Sequence, residues 1–272
     1  MILVQRHQIK PSSSMYQELD YLCFLSKNLY NATMFDVRQH YFKTGKHLGY
    51  CQVNKKFQET NQPDYRALPA KVSKHTQMLV DRGFKSFFVL LKKKQKGEYD
   101  QPIQIPHYLP IDGRQVLEYE KGALSFQKEG YIHLSKTKIS IPSTFPKEDV
   151  QAVRIVPKNG YIVVEVLYKR EAKKTKESNN RVVGIDIGVN NLAAVVSNVF
   201  DAFIINGRPL KSINQFFNKE LASAKSELKT RHNRYKSKKT NRLWRKRTNK
   251  VNDYLQKAST ILVNQFVSND IT

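Results

Sequence analysis

Apolar and polar positions alternate over the first ten residues, MILVQRHQIK, which predicts a short strand. The period then lengthens. Leu22, Ser26, Leu29, Tyr30, Met34, Val37 and Tyr41 recur at helical spacing and predict a first long helix. Leu68-Pro69 opens a second, because proline suits the first helical turn. Val72, Leu79, Gly83, Phe87 and Leu90 mark its face, and KKKQKG (92–97) closes it with cations and a glycine stop. The aromatic residues of both helices are read as core packing in preference to base stacking.

From about residue 100 the pattern changes. PIQIPHYLPI (102–111) is broken by prolines and cannot be helical. Short alternating runs follow: VLEYEKGALSFQ, YIHLSKTKISIP, VQAVRIV and YIVVEVLY. The last two flank Pro157-Lys158-Asn159-Gly160, and Asn-Gly between two β-rich runs is a strong hairpin signal. This block reads as an antiparallel sheet or small barrel. The polar run EAKKTKESNN (171–180) marks a boundary. Beyond it, RVVGIDIGVNNLAAVVSN reads as strand, tight turn and strand, and DAFIIN (201–206) as a third strand. From Pro209 to Phe266 the pattern is helical, with an expected break near Ser237 to Asn241.

Charge adds what hydropathy does not show. The 272 residues carry 47 Lys plus Arg against 23 Asp plus Glu, a net +24. A balance this basic calls for a polyanionic partner, most commonly nucleic acid. No apolar run is long enough to span a bilayer, and the N-terminus lacks the apolar core of a signal peptide, so a cytoplasmic protein without a membrane role is expected. Cys23 and Cys51 are the only cysteines and form no CxxC pair, so no zinc site can be read; Cys23 reads as a small apolar packing residue.

Two stretches could carry chemistry. In GIDIGVNN (184–191), strand alternation puts Val183, Ile185 and Ile187 on one face and Gly184, Asp186 and Gly188 on the other. That predicts a carboxylate on a buried type of strand, with glycines leaving room for a divalent cation and a phosphate. The bland alternative is a hairpin with Asp186 near its turn. The second stretch is basic: Lys229, Arg231, Arg234, Lys236, Lys238, Lys239, Arg242, Arg245, Lys246, Arg247 and Lys250 are 11 cations with no acid between them. Like charges at this density destabilise an isolated helix, so phosphate contact is favoured over a merely solvated face. Tyr235 lies seven residues beyond Leu228 and fourteen beyond Leu221, which predicts a core position. Trp244 reads as packed inward in preference to stacked on a base.

The GIDIGVNN signature is similar to two families: the first phosphate loop of actin-like and chaperone-type ATPases, and the first strand of RuvC-type, RNase H-like nucleases. The basic charge favours the second. The surrounding chain sharpens the likeness. SKNLYNATMFDVRQHYF (26–42), LPAKVSKHTQMLVDRGFKSFF (68–88), KGEYDQPIQIP (96–106) and the hairpin VRIVPKNGYIVVEVLYK (153–169) resemble, in order, the TnpB/OrfB family of transposon-encoded, RNA-guided DNA nucleases.

The resemblance implies an α+β protein. Residues 1–12 and 98–175 would form a wedge-like β-barrel, 13–97 a helical recognition insert, and 181–272 the first part of a RuvC, RNase H-like α/β domain with basic helices. It implies a guide RNA and a target DNA as partners and Mg²⁺ as cofactor, with Asp186 as the one catalytic, metal-binding residue that carries over. The family's glutamate, later aspartate and four-cysteine zinc ribbon have no counterpart here. The resemblance therefore implies a C-terminally truncated member, inactive in guided cleavage unless a missing C-terminal fragment or a second copy completes it. A catalytically silent RNA- or DNA-binding regulator and an actin-like ATPase fragment are the alternatives.

Overall fold

The computed structural model describes residues 1–171 and 179–271. Residues 172–178, most of the polar boundary run, lie outside the described residues. The chain divides into two compact units, Met1–Glu171 and Ala172–Thr272, and is of mixed helix and sheet.

The first unit is built on two long helices. Helix α1 (Tyr16–Thr44) buries Leu19, Leu22, Cys23, Leu29, Met34 and Val37 at helical spacing and ends on Gly45 in the left-handed region (φ 67°), which glycine adopts without a steric cost. Helices α2 (Tyr50–Glu59) and α3 (Pro63–Arg66) are short. Helix α4 (Ala70–Gln95) starts one residue after Pro69, which stands at the N-cap and not inside the first turn. Its buried face is Val72, Thr76, Val80, Phe84 and Phe87, so the register is set by Val80 and Phe84, not by Leu79 and Gly83 as the pattern suggested.

A buried carboxylate ties α2 to α4. Asp81 accepts from the Tyr50 backbone N–H (3.2 Å) and pairs with His47 (2.8 Å) and with Lys85 (2.7 Å). Burial alone would raise its pKa, but the Lys85, His47 and Tyr50 donors outweigh that and hold it below the ordinary carboxylate value.

The proline-broken segment is extended and strapped to α1 through its own backbone. Arg38 donates to the Pro106 carbonyl (2.6 Å) and Lys27 to that of Ile111 (2.9 Å). Asn31 donates to the Leu109 carbonyl and accepts from the Leu109 N–H, both at 2.9 Å. Side-chain amides and cations thus satisfy a backbone that prolines keep out of any ladder.

Strands β1 (Ile2–Ile9), β2 (Leu117–Glu120), β6 (Val150–Lys158) and β7 (Tyr161–Lys169) form an antiparallel sheet in the order β1-β7-β6-β2. The β6–β7 hairpin turns at Asn159-Gly160, with Gly160 at φ 78°. Strands β3 (Leu124–Ser125), β4 (Tyr131–Leu134) and β5 (Ser140–Pro142) form a second antiparallel sheet. Across the outer face of the larger sheet, Arg6, Glu165, Arg154 and Glu118 stand opposite one another in one row of alternating charge. Glu165 pairs with Arg6 (3.1 Å) and with Arg154 (3.0 Å), while the inner face is apolar except for Gln5 and His7 on β1.

The second unit has three antiparallel strands in the order β10-β9-β8: β8 (Val183–Asp186), β9 (Asn191–Ser197) and β10 (Phe203–Asn206). Two helices follow, α5 (Arg208–His232) and α6 (Lys238–Ser268). The helical break falls at Asn233–Ser237, earlier than expected, because Asn233 takes the left-handed conformation (φ 48°) and Ser237 caps α6. Tyr254 of α6 donates to the Asn206 carbonyl at the end of β10.

Candidate nucleic-acid interface

Asp186 closes β8, and register decides what surrounds it. Ile185 stands opposite Val195, and Val195 opposite Phe203, on the side where Val195, Ala193, Ile205 and Ala258 make a small core. Asp186 stands opposite Ala194, and Ala194 opposite Ile204, on the other side. The alternation expected from sequence is therefore present, but the burial is not. Asp186 is exposed, as are Ile185, Ile187 and Val189, and β8 is an edge strand paired with β9 alone among the described residues. The expected carboxylate on a buried strand is an exposed carboxylate on an open one, which removes the desolvation cost that burial would have imposed.

The turn after Asp186 is fixed tightly. Gly207 donates its N–H to the Asn190 carbonyl (2.7 Å), and a Cβ at Gly207 would meet the Val189 carbonyl oxygen at 2.3 Å. Only glycine fits that approach. Lys211 of α5 donates to Asn190 Oδ1 (3.0 Å), placing a cation on the same loop that the sequence reading missed. Of the glycines flanking Asp186, Gly184 faces open space, whereas Gly188 lies close under the Asn191 carbonyl.

The eleven cations gather on the α5–α6 hairpin. Lys229 and Arg231 sit in the last turn of α5, where cations suit the helix dipole. Arg234 and Lys236 lie in the connection, and Lys238, Lys239, Arg242, Arg245, Lys246, Arg247 and Lys250 run along α6. Lys238 and Lys239 occupy the first turn of α6, where the dipole is positive and cations are unfavourable unless an anion is bound. Glu227 is the acid that offsets part of this charge, pairing with Arg231 at 3.2 Å and Lys239 at 3.5 Å. These are exposed pairs and weak ones. Arg247 is oriented by Asn214, which accepts from its Nε at 2.8 Å.

Of the two aromatic residues of the basic stretch, Tyr235 departs from the expected core position and Trp244 takes the expected packed one. Tyr235 is 55% exposed, with Lys229 lying 5.9 Å from its ring centre. Trp244 is the packed one, edge-on to the buried Phe217 at 4.7 Å.

Residues 162–272 match the family OrfB_IS605, described as "Probable transposase". The match covers this segment, less than half of the chain, and likens the segment to that family. The OrfB segment takes in β7 from Ile162, the three strands of the second unit, Asp186, and all eleven cations. No curated protein matches the chain. Among solved structures, a cryo-EM structure of a Cas12f1–sgRNA–target DNA complex aligns at 13% identity and a TM-score of 0.30, over 98% of this chain and 71% of that one. A cryo-EM structure of a CRISPR–Cas12f ternary complex aligns at 14% identity and a TM-score of 0.31, over 94% of this chain and 62% of that one. Likeness at that level carries no geometry across, so the OrfB segment is described from its own residues. Among the described residues no group of three or more His, Cys, Asp or Glu side chains is placed to hold a metal ion. None of the helices in the described residues is long and apolar enough to cross a membrane.

Proposed function

We propose that this chain is an OrfB-family, nucleic-acid-binding protein of the TnpB type, holding a guide RNA and its DNA target with the α5–α6 hairpin as a principal phosphate contact. The observation that carries this reading is the density of cations on that hairpin, with Lys238 and Lys239 set at a helix start that favours an anion. In this reading the sheets of the first unit serve as the wedge-like barrel, its helices as the recognition insert, and the second unit as part of an RNase H-like domain. Guide pairing would supply most of the sequence choice.

Phosphodiester cleavage in such a family would use a divalent cation held by several carboxylates. Asp186 offers one carboxylate on an open edge, and the described residues gather no further ligands around it. These residues do not make a complete cation site, so no catalytic step is assigned to them. A regulator that binds without cutting is the second reading that this single carboxylate favours.

The binding claim is tested by titrating structured RNA and duplex DNA at several salt concentrations. With about six phosphate contacts, log K on duplex DNA should fall against log salt with a slope of roughly −5. Replacing Lys238, Lys239, Arg245, Lys246 and Arg247 together by alanine should flatten it by several units. An unchanged slope would mean that the hairpin is not the phosphate surface.

A further inference from the structure

Helices α5 and α6 enclose a cleft of about 780 Å³ between two matched stripes. On α5 the stripe is Ile213, Phe216, Phe217 and Glu220; on α6 it is Leu243, Lys246, Arg247 and Lys250. Both follow i, i+3, i+4, i+7 spacing, so each lies on one helical face. One wall is aromatic and aliphatic, and the other is cationic. Phe217 is buried against Trp244, but Phe216 beside it leaves 63% of its surface open to solvent. Among the described residues, Lys246 and Lys250 have no ion-pair partner, and a single carboxylate, Glu220, faces three cations. The volume lies in the range of ordinary ligand clefts.

From this juxtaposition we infer that the cleft takes an unpaired nucleotide, its base stacked on Phe216 and its phosphate held by Lys246, Arg247 and Lys250. An exposed aromatic ring accepts any base, and cations at the opposite wall suit the attached phosphate. A duplex keeps its bases stacked internally and cannot offer one to Phe216. The cleft therefore selects a single-stranded segment, RNA or DNA, over a paired one. The inference rests on the nucleic-acid reading above and adds to it a strand preference and a residue that charge alone does not reveal.

The test uses the full chain and its only tryptophan. Trp244 packs on Phe217, a residue that lines the cleft, so its fluorescence is placed to report occupancy. A short oligouridylate should quench or shift that emission, and a duplex of equal length should bind without doing so. Phe216→Ala should weaken oligouridylate binding about tenfold, within the cost of removing one stacking platform, and leave duplex affinity unchanged. Phe216→Tyr should restore the wild-type value. Because Phe216 is exposed, its truncation should leave the fold intact, and the duplex arm confirms this. If the wild-type chain binds both ligands and Phe216→Ala changes neither, the cleft inference is wrong and the phosphate reading stands. If the wild-type chain binds neither, both fail. Phe216-dependent binding of an acidic amphipathic peptide in place of the oligonucleotide would assign the cleft to a protein partner and overturn the inference.

Discussion

The two units of this chain fold on very different reserves. Among the described residues of the first unit, one continuous core runs from Ile9 through α1 and α4 to the inner face of the large sheet at Val166. The sheet core of the second unit consists of Ala193, Val195, Ile205 and Ala258 with a fringe of half-buried neighbours. Meanwhile Val196 and Ile204 on the sheet and Ile261, Val263 and Val267 on α6 stay exposed. The basic hairpin and Asp186 belong to this thinly packed unit. Apolar burial is the main source of folding free energy, so the unit that carries the candidate chemistry is the one with the least of its own.

The largest expected effect breaks the stronger side. Phe84 is fully buried on α4 between Phe87, Phe88 and His47. Phe84→Ala should cost the first unit about 3–5 kcal/mol through lost burial and the cavity left behind. Hydrogen exchange of the β7 amides, which have neighbours on both sides, is the measurement. Val195→Ala in the second unit removes fewer carbons from a smaller core and should cost about 1–2 kcal/mol. Equal losses would mean that the contrast in packing has no energetic counterpart.

A smaller effect tests the edges. The outer strands of the large sheet carry charge: Arg6 on β1, and Glu118 and Glu120 on β2. Strand β8 carries one charge, Asp186 at its end, and is otherwise Val183, Gly184 and Ile185, with Ile187 beside it 78% exposed. Edges with little charge invite pairing with another chain. Ile187→Lys should lower self-association in light scattering while changing stability by no more than about 0.5 kcal/mol, as for most surface substitutions. An unaltered scattering profile would show that the β8 edge is not where copies meet.

The same contrast explains what could be read from the sequence. The β6–β7 hairpin was legible because its signals are local: period-two apolar residues and an Asn-Gly turn. Helix α2 was not, since its start is fixed by Asp81, about thirty residues further along the chain. In β8 the alternation gave the faces correctly, but alternation says nothing about what covers a face. Tyr235 was misplaced for a geometric reason: the seven-residue spacing from Leu221 and Leu228 stops having meaning once Asn233 turns left-handed and ends α5. Trp244, in the second turn of α6, is packed against Phe217 as its place in the pattern implied. Phe216 carried a signal that passed unnoticed, a pair of adjacent phenylalanines of which one helical face can bury only one.

The smallest effect is a pH dependence that only a well-buried unit can show. His7 lies on the inner face of β1 opposite Val164, and its Nε2 is buried without a hydrogen-bond partner among the described residues. Burial disfavours the charged imidazolium and holds the His7 pKa below its ordinary value of 6.5. As pH falls, the unfolded chain therefore takes up the proton first. The stability contributed by neutral His7 is complete above the ordinary histidine value and is lost as pH drops through the lowered one. A single group can tilt the curve by no more than about 1.4 kcal/mol per pH unit. His7→Leu keeps the inward position apolar and removes the titration. Its melting temperature should accordingly fall less steeply on the acid side than that of the wild-type chain. Every other titrating group is common to both proteins, so the difference between the two curves isolates His7. Curves that run parallel through the acid range would mean that the folded state accommodates the imidazolium, and that the inner face of β1 is wetter than its apolar neighbours imply.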